Sequence, residues 1–197
     1  YGRAQSFLDG ANEELTLKTF NESRKEDLKE DIKQGREEIS QRNWEKGEER
    51  LLHAYYALWH GYRAKFKINL YEAEECFQKI TNLINVNNNS CFIPPHESYE
   101  TYISVNDSVN AYLNYRVLDE YPGEYREIER IKLEVSDLKN YFSDAQDRLR
   151  ECNEALKLME ESFKFQKPYC ERREATIWGI KFIWVLTFGA IGIAIGV

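Results

Sequence analysis

Apolar residues recur at alternating steps of three and four along residues 128–163, and no Gly or Pro interrupts them. This spacing is the heptad pattern of an α-helix that buries one narrow seam. Such a helix would be about 54 Å long. Its seam is predicted to be an interaction surface made of Ile128, Ile131, Val135, Leu138, Phe142, Ala145, Leu149, Cys152, Leu156, Met159 and Phe163.

The partner of this seam follows from two of its residues. Phe142 and Phe163 occupy a positions of the heptad, and both are too bulky for a tight, uniform two-stranded coil. The predicted partner is therefore the polar N-terminal helix of the same chain or a neighbouring subunit.

The N-terminal part of the chain shows three further helical patterns. Residues 4–42 predict one long polar helix whose apolar positions are too sparse for it to fold alone. Within it, the mixed charges of residues 23–38 predict a solvated face. Residues 44–84 predict an aromatic helical hairpin whose second helix begins at Asn69, with Glu72 in a capping-box position. A shorter helix is predicted over residues 104–118.

An irregular stretch separates these patterns at residues 85–100, where an Asn run and Pro94-Pro95 exclude a helix. Loops of this length often carry function. If the body recognises another molecule, Phe92, His96 and Tyr99 are the expected contact residues. The alternative is a disordered or glycosylated connector.

The C-terminal segment, residues 176–197, contains Lys181 as its single charge. Its length is sufficient for a hydrocarbon core of about 30 Å, so the segment is predicted to be a transmembrane helix. Gly189, Gly192 and Gly196 fall on one face and are candidate sites of close helix packing within the membrane.

The predicted fold is all-α: an elongated helical bundle whose long heptad-patterned helix leads into a single transmembrane helix. Residues 1–124 form the helical body and residues 125–167 the heptad stalk. Residues 168–175 form a juxtamembrane linker with Pro168 as its kink, and residues 176–197 the transmembrane helix.

Composition agrees with long helices that have solvated outer faces, since 31% of the residues are charged and 42% are hydrophobic. The net charge of −7, with acidic and basic residues interleaved, argues against general nucleic-acid binding. The predicted partners are membrane lipid and other protein subunits, including further copies of the chain.

Cysteines and glycosylation sequons bear on the compartment. Cys76 and Cys91 are the easiest of the four cysteines to pair, and a disulfide between them is predicted if the compartment is oxidising. Asn21, Asn88 and Asn106 each begin an N-glycosylation sequon. These features favour an extracytoplasmic body on a single-pass membrane protein over a cytosolic one.

No catalytic motif is present, neither a phosphate-binding Gly-rich loop nor a nucleophile elbow nor a metal-binding Cys pair. Glu49, His53 and His60 share one helical stripe and are weak candidates for metal ligands. Their aromatic surroundings suit ordinary packing, so we predict a protein with no enzymatic activity, cofactor or metal.

The predicted function is that of a membrane-anchored structural or assembly subunit that binds other proteins through its bundle and stalk. Two alternatives stay open at this point. One is an extracytoplasmic four-helix-type sensor domain coupled to a transmembrane helix, and the other is a tail-anchored cytosolic tether.

Overall fold

The computed structural model describes residues 2–40, 47–87, 92–113 and 128–195; side chains are described up to Ile180, except those at 174 and 179. Within these ranges all regular structure is helical, which confirms the predicted all-α class. Five helices follow one another: α1 (Gly2–Leu17), α2 (Glu22–Ser40), α3 (Gly47–Asn87), α4 (His96–Leu113) and α5 (Ile128–Ile195).

The predicted N-terminal helix is divided into α1 and α2. Asn21 ends the break between them, because its Oδ1 accepts a hydrogen bond of 2.9 Å from the backbone N–H of Arg24 and so caps α2. Phe20, immediately before the cap, is buried in the core between α1, α2 and α3. A buried aromatic followed by an N-cap turns the chain back on itself.

The predicted aromatic hairpin is instead one continuous helix, α3, of 41 residues. Asn69 does not start a new helix but lies in the middle of α3 and is 8% exposed. No Gly or Pro follows Gly61 within α3, so the chain has no residue that favours a turn there. At about 1.5 Å per residue, α3 is roughly 60 Å long.

Helix α4 begins earlier than predicted, and α5 continues past the predicted end of the stalk. α4 begins at His96, directly after Pro94-Pro95, and the N–H of Tyr99 bonds to the carbonyl of Pro95 at 3.0 Å. α5 has 68 residues and remains helical through Pro168, where a kink and linker were predicted.

α3 is the central helix of the bundle, and its neighbours alternate in direction. Arg3 of α1 contacts Tyr62 while Lys18, near the end of α1, contacts Glu72, so α1 runs parallel to α3. On the opposite side, α5 also runs parallel to α3. α2 and α4 run antiparallel to α3, which gives an up-and-down order of five helices.

The heptad seam of α5 packs mainly against α3 and α4. Of the two predicted partners, the N-terminal helix adds Phe7 at the margin of one core, and a neighbouring subunit stays a prediction. Its five d positions are almost fully buried, whereas most a positions are half-buried. The aromatic and aliphatic residues of α3 and α4 complete the two cores around the d positions. The d positions are Ile131, Leu138, Ala145, Cys152 and Met159.

A disulfide joins α3 to α5 between Cys76 and Cys152, with a Cα–Cα distance of 6.2 Å. The prediction that Cys76 pairs with Cys91 is wrong, because the parallel packing of α3 and α5 brings Cys152 beside Cys76. Cys91 itself lies outside the described residues. Cys170 is also disulfide-bonded.

The structure does not support the predicted transmembrane helix at residues 176–197. In the described part of the chain, no helix is long and apolar enough to cross a membrane. The predicted packing residues Gly189, Gly192 and Gly196 lie beyond the side chains that the structure describes.

Candidate protein-binding site on helix 4

Helix α4 has one face in the core and one face open to solvent. Val105 and Val109 are buried against α3 and α5, and the ring of Tyr102 stacks on Phe77 at 4.8 Å. On the outer side, Tyr99 is 43% and Ile103 41% exposed. These two apolar side chains are one helical turn apart and therefore form one row on the open face.

The segment before α4 forms a wall beside this open face and is fixed to α5. The Gln166 side chain accepts a hydrogen bond of 2.9 Å from the N–H of Ile93 and donates one of 2.8 Å to the Ile93 carbonyl. The ring of Phe92 packs edge-on against Phe163 at 5.5 Å. With the backbone held in this way, the Ile93 side chain is 73% exposed.

Between this wall and α4 lies an open groove of about 1010 Å³, which we call the α4 groove. Its lining combines the apolar side chains just described with short polar and acidic ones. The lining residues are Ile93, Pro94, His96, Tyr99, Glu100, Ile103, Ser104, Asp107 and Ser108.

The charge of the α4 groove is acidic. Glu100 and Asp107 are part of the lining, and none of the described lining residues is Lys or Arg. A second cavity of about 490 Å³ shares Glu100 and Ser104 with the groove and adds Glu97, Glu151 and Glu154. Its one basic residue, Arg148, is already paired with Glu151 at 2.9 Å. The open face of α4 is thus apolar with acidic flanks.

A different polar cluster lies buried between α2 and α3. Asp31, which is 3% exposed, accepts hydrogen bonds from Arg63 at 3.0 Å and from Lys67 at 2.9 Å. His60 Nδ1 lies 3.4 Å from the same carboxylate. Lys67 also donates to Asp27 at 2.8 Å. We call these five side chains the α2–α3 charge cluster.

The charge cluster keeps the Asp31 carboxylate ionised. Burial by itself raises the pKa of Asp31, but the hydrogen bond with His60 and the positive charges of Lys67 and Arg63 outweigh it, so the pKa lies below its ordinary value. At neighbouring Tyr71, burial and the hydrogen bond to Asp27 raise the pKa of the phenol. The buried charge of Asp31 is therefore compensated by side chains of α3 that contact it directly.

The weak metal candidates are not brought together. His53 contacts Glu38 at 2.7 Å, His60 contacts Asp31, and Glu49 is exposed. Among the described residues, no group of three or more His, Cys, Asp or Glu side chains has the arrangement of a metal site.

The predicted recognition residues are brought together only in part. His96 and Tyr99 line the α4 groove, whereas Phe92 points to α5 and anchors the wall. Ile103 and Asp107 were missed, because residues 104–118 were assigned to a separate helix. A signal was present: Tyr99, Ile103 and Asp107 are spaced by four and continue one helical row.

The charge cluster was also missed, since residues 23–38 were predicted to form a solvated face. Asp31 lies between Leu28 and Ile32 along the chain, and all three are buried. Two signals were available. One is a carboxylate adjoining the apolar stripe of α2, and the other is the presence of Arg63 and Lys67 inside the aromatic stretch of α3.

The predicted glycosylation sites occupy different environments. Asn21 is exposed and uses its Oδ1 for the cap, so its Nδ2 is left for a glycan. Asn106 is half-buried on α4, where its Oδ1 accepts a hydrogen bond of 2.9 Å from Asn110. Asn88 lies outside the described residues.

Comparison of the chain with protein-family models, with curated proteins and with solved structures finds no match. The function is therefore inferred from the geometry and charge of the sites themselves.

Proposed function

We propose that this protein is a helical structural or assembly subunit that binds another protein through the α4 groove. The observation that carries the proposal is a row of exposed apolar side chains held on a fixed backbone and flanked by carboxylates. Exposed apolar residues that cluster beside polar ones are typical of protein-interaction sites.

The chemistry of the groove defines the partner. Its apolar row would take aliphatic or aromatic side chains, and its carboxylates would take Lys or Arg at the edges. The row from Tyr99 to Asp107 covers about two helical turns. A partner helix with one apolar and one basic face fits these requirements, as in other helix-in-groove complexes.

The α4 groove replaces the heptad seam as the proposed interaction surface. The seam was expected to bind other subunits, but its d positions are already covered by α3 and α4. A partner could reach them only by separating these helices, whereas Tyr99 and Ile103 are accessible in the folded chain.

Binding to designed peptides tests the proposal. The probe is an amphipathic Leu/Lys helix of about 18 residues, and its control is a Leu/Glu helix of the same pattern. Fluorescence anisotropy should show that the Leu/Lys peptide binds and that the Leu/Glu peptide does not. Ile103→Lys should weaken binding about tenfold, because it removes an apolar contact and adds a repelling charge.

The matched control is Leu133→Lys, which makes the same change at an apolar side chain of α5 that is 67% exposed and distant from the groove. It should leave the affinity of the Leu/Lys peptide unchanged. Equal weakening by Ile103→Lys and Leu133→Lys would show attraction to overall negative charge, and the proposed site would then be rejected.

We also propose that the body functions in an oxidising compartment outside the cytosol. The Cys76–Cys152 disulfide supports this placement, since such bonds persist mainly in oxidising environments. The intact mass of protein from its native source should show bonded cysteines and a glycan at exposed Asn21. Free thiols together with an unmodified Asn21 would contradict the placement.

The sensor and tether alternatives remain predictions. No contact among the described residues favours either of them over the assembly role.

A further inference from the structure

Another cavity lies where α1, α3 and α5 begin, and it differs in charge from both cavities beside α4. Its volume is about 440 Å³. Its floor is apolar and aromatic, formed mainly by Leu51, Ala54, Tyr55, Leu58, Tyr62 and Val135. We call it the N-terminal cleft.

Three basic residues, one from α1 and two from α5, surround this floor: Arg3, Lys132 and Lys139. Among the described residues that line the cleft none is Asp or Glu, although the chain carries a net charge of −7. An apolar floor beside three basic side chains is therefore a local departure from the acidic composition of the chain.

Two of the basic groups are positioned by the aromatic floor. Arg3 Nη2 donates a hydrogen bond of 3.0 Å to the hydroxyl of Tyr62. Lys132 Nζ lies 5.8 Å from the centroid of the Tyr55 ring. Lys132 also contacts Glu129 at 2.7 Å, but that carboxylate is 83% exposed and can be replaced by another anion.

We propose that the N-terminal cleft binds a small amphipathic anion, with its aromatic or aliphatic body on the floor and its acidic head group between Lys132, Lys139 and Arg3. The volume falls within the usual range for small-molecule sites. Lys and Arg donate the charge-assisted hydrogen bonds that such a head group accepts. Tyr55 and Leu58 supply the apolar contact.

This site is independent of the proposed protein-binding function. The cleft uses Tyr55 of α3, whereas Tyr102, in the part of α4 that carries the groove, contacts Thr81, about 40 Å further along α3. Variants in the cleft should therefore leave binding of the Leu/Lys peptide at the α4 groove unchanged, and the two proposals can fail separately.

The test uses 8-anilinonaphthalene-1-sulfonate and its uncharged analogue N-phenyl-1-naphthylamine, which share one aromatic body. Fluorescence titration of the full chain should show tighter binding of the sulfonate. The double variant Lys132→Glu/Lys139→Glu should weaken sulfonate binding by about tenfold and leave binding of the uncharged analogue unchanged. Thermal unfolding by circular dichroism would establish that the variant is folded.

A charge-matched control is available on another part of α5. Arg150→Glu/Lys157→Glu changes the net charge by the same amount at Arg150, which is 66% exposed, and at Lys157, outside the cleft. This variant should bind the sulfonate like the wild type. Equal effects of the two double variants, or equal affinities of the wild type for the two probes, would overturn the proposal.

Discussion

The two sides of α3 are held by different physical means. On the side of α1 and α2, a buried charge cluster centred on Asp31 joins the helices, and a small apolar core accompanies it. On the side of α4 and α5, two apolar cores are present and the Cys76–Cys152 disulfide lies within one of them. One helix thus presents an ionic face and an apolar, covalently linked face.

The two sides of α3 should be destabilised by different changes. Apolar packing weakens in proportion to the surface that is exposed, whereas a buried ion pair that loses one partner leaves the other charge uncompensated. The ionic side should therefore be sensitive to single charge changes and to acid. The apolar side should be sensitive to loss of its covalent link.

The largest expected effect follows from removing that link. Cys76→Ala/Cys152→Ala opens a loop with a sequence separation of 76 residues, and the chain-entropy model gives a loss of about 4 kcal/mol in the free energy of unfolding. Chemical denaturation under oxidising conditions measures this loss. Under a strong reductant the free energies of unfolding of the wild type and the variant should become nearly equal. A persistent difference between them would show that packing of the cysteine side chains, rather than the disulfide, is responsible.

The next effect comes from Asp31→Asn, which keeps the shape of the side chain but leaves Arg63 and Lys67 buried without their shared carboxylate. We expect a loss of about 3 kcal/mol in the free energy of unfolding. Asp9→Asn is the matched control, because Asp9 pairs with Arg36 at 3.4 Å on the surface and should contribute less than about 1 kcal/mol. Similar losses at the two positions would contradict the special role of the charge cluster.

Acid provides a second test of the ionic side. Because the folded pKa of Asp31 is lowered, its contribution is present above the unfolded pKa of about 3.9 and disappears as the pH falls through the folded value. Hydrogen exchange at decreasing pH should show α2 losing protection before α5. Asp31→Asn should remove this difference in acid response. Simultaneous loss of protection in α2 and α5 of the wild type would contradict the role of Asp31 in acid sensitivity.

Close backbone approach predicts a smaller effect on the same side. A Cβ added at Gly35 would lie 2.7 Å from Leu8 Cδ2 and 3.1 Å from His60 Cβ, so the buried Leu8 side chain must shift within the core. Gly35→Ala should cost about 2 kcal/mol through overpacking. Gly47→Ala, where no atom lies within 4 Å, should change the free energy of unfolding little, and a stabilised Gly35→Ala would disprove the close contact.

These comparisons show what the sequence could and could not predict. The helical class and the heptad row of α5 follow from local periodicity, which needs no knowledge of partners. The partner of Ile131 or Cys152 depends on how helices distant in the chain align, and no local pattern contains that alignment. Asp31 illustrates the same limit, since an acidic residue in a polar helix is predicted to be exposed until Arg63 and Lys67 are known to face it.

The smallest expected effect concerns a polar contact on the apolar side, between Tyr112 of α4 and Asp144 of α5. Burial and the hydrogen bond to Asp144 raise the pKa of Tyr112 to about 12. Its contribution to stability is therefore present below the unfolded pKa of about 10 and lost as the pH rises toward 12. Asp144→Asn should lower the pKa of Tyr112, which tyrosine NMR during an alkaline titration would detect. If the pKa of Tyr112 stayed at its wild-type value, burial alone would account for the shift. The hydrogen bond to Asp144 would then contribute little, and α4 would be held on α5 by apolar packing.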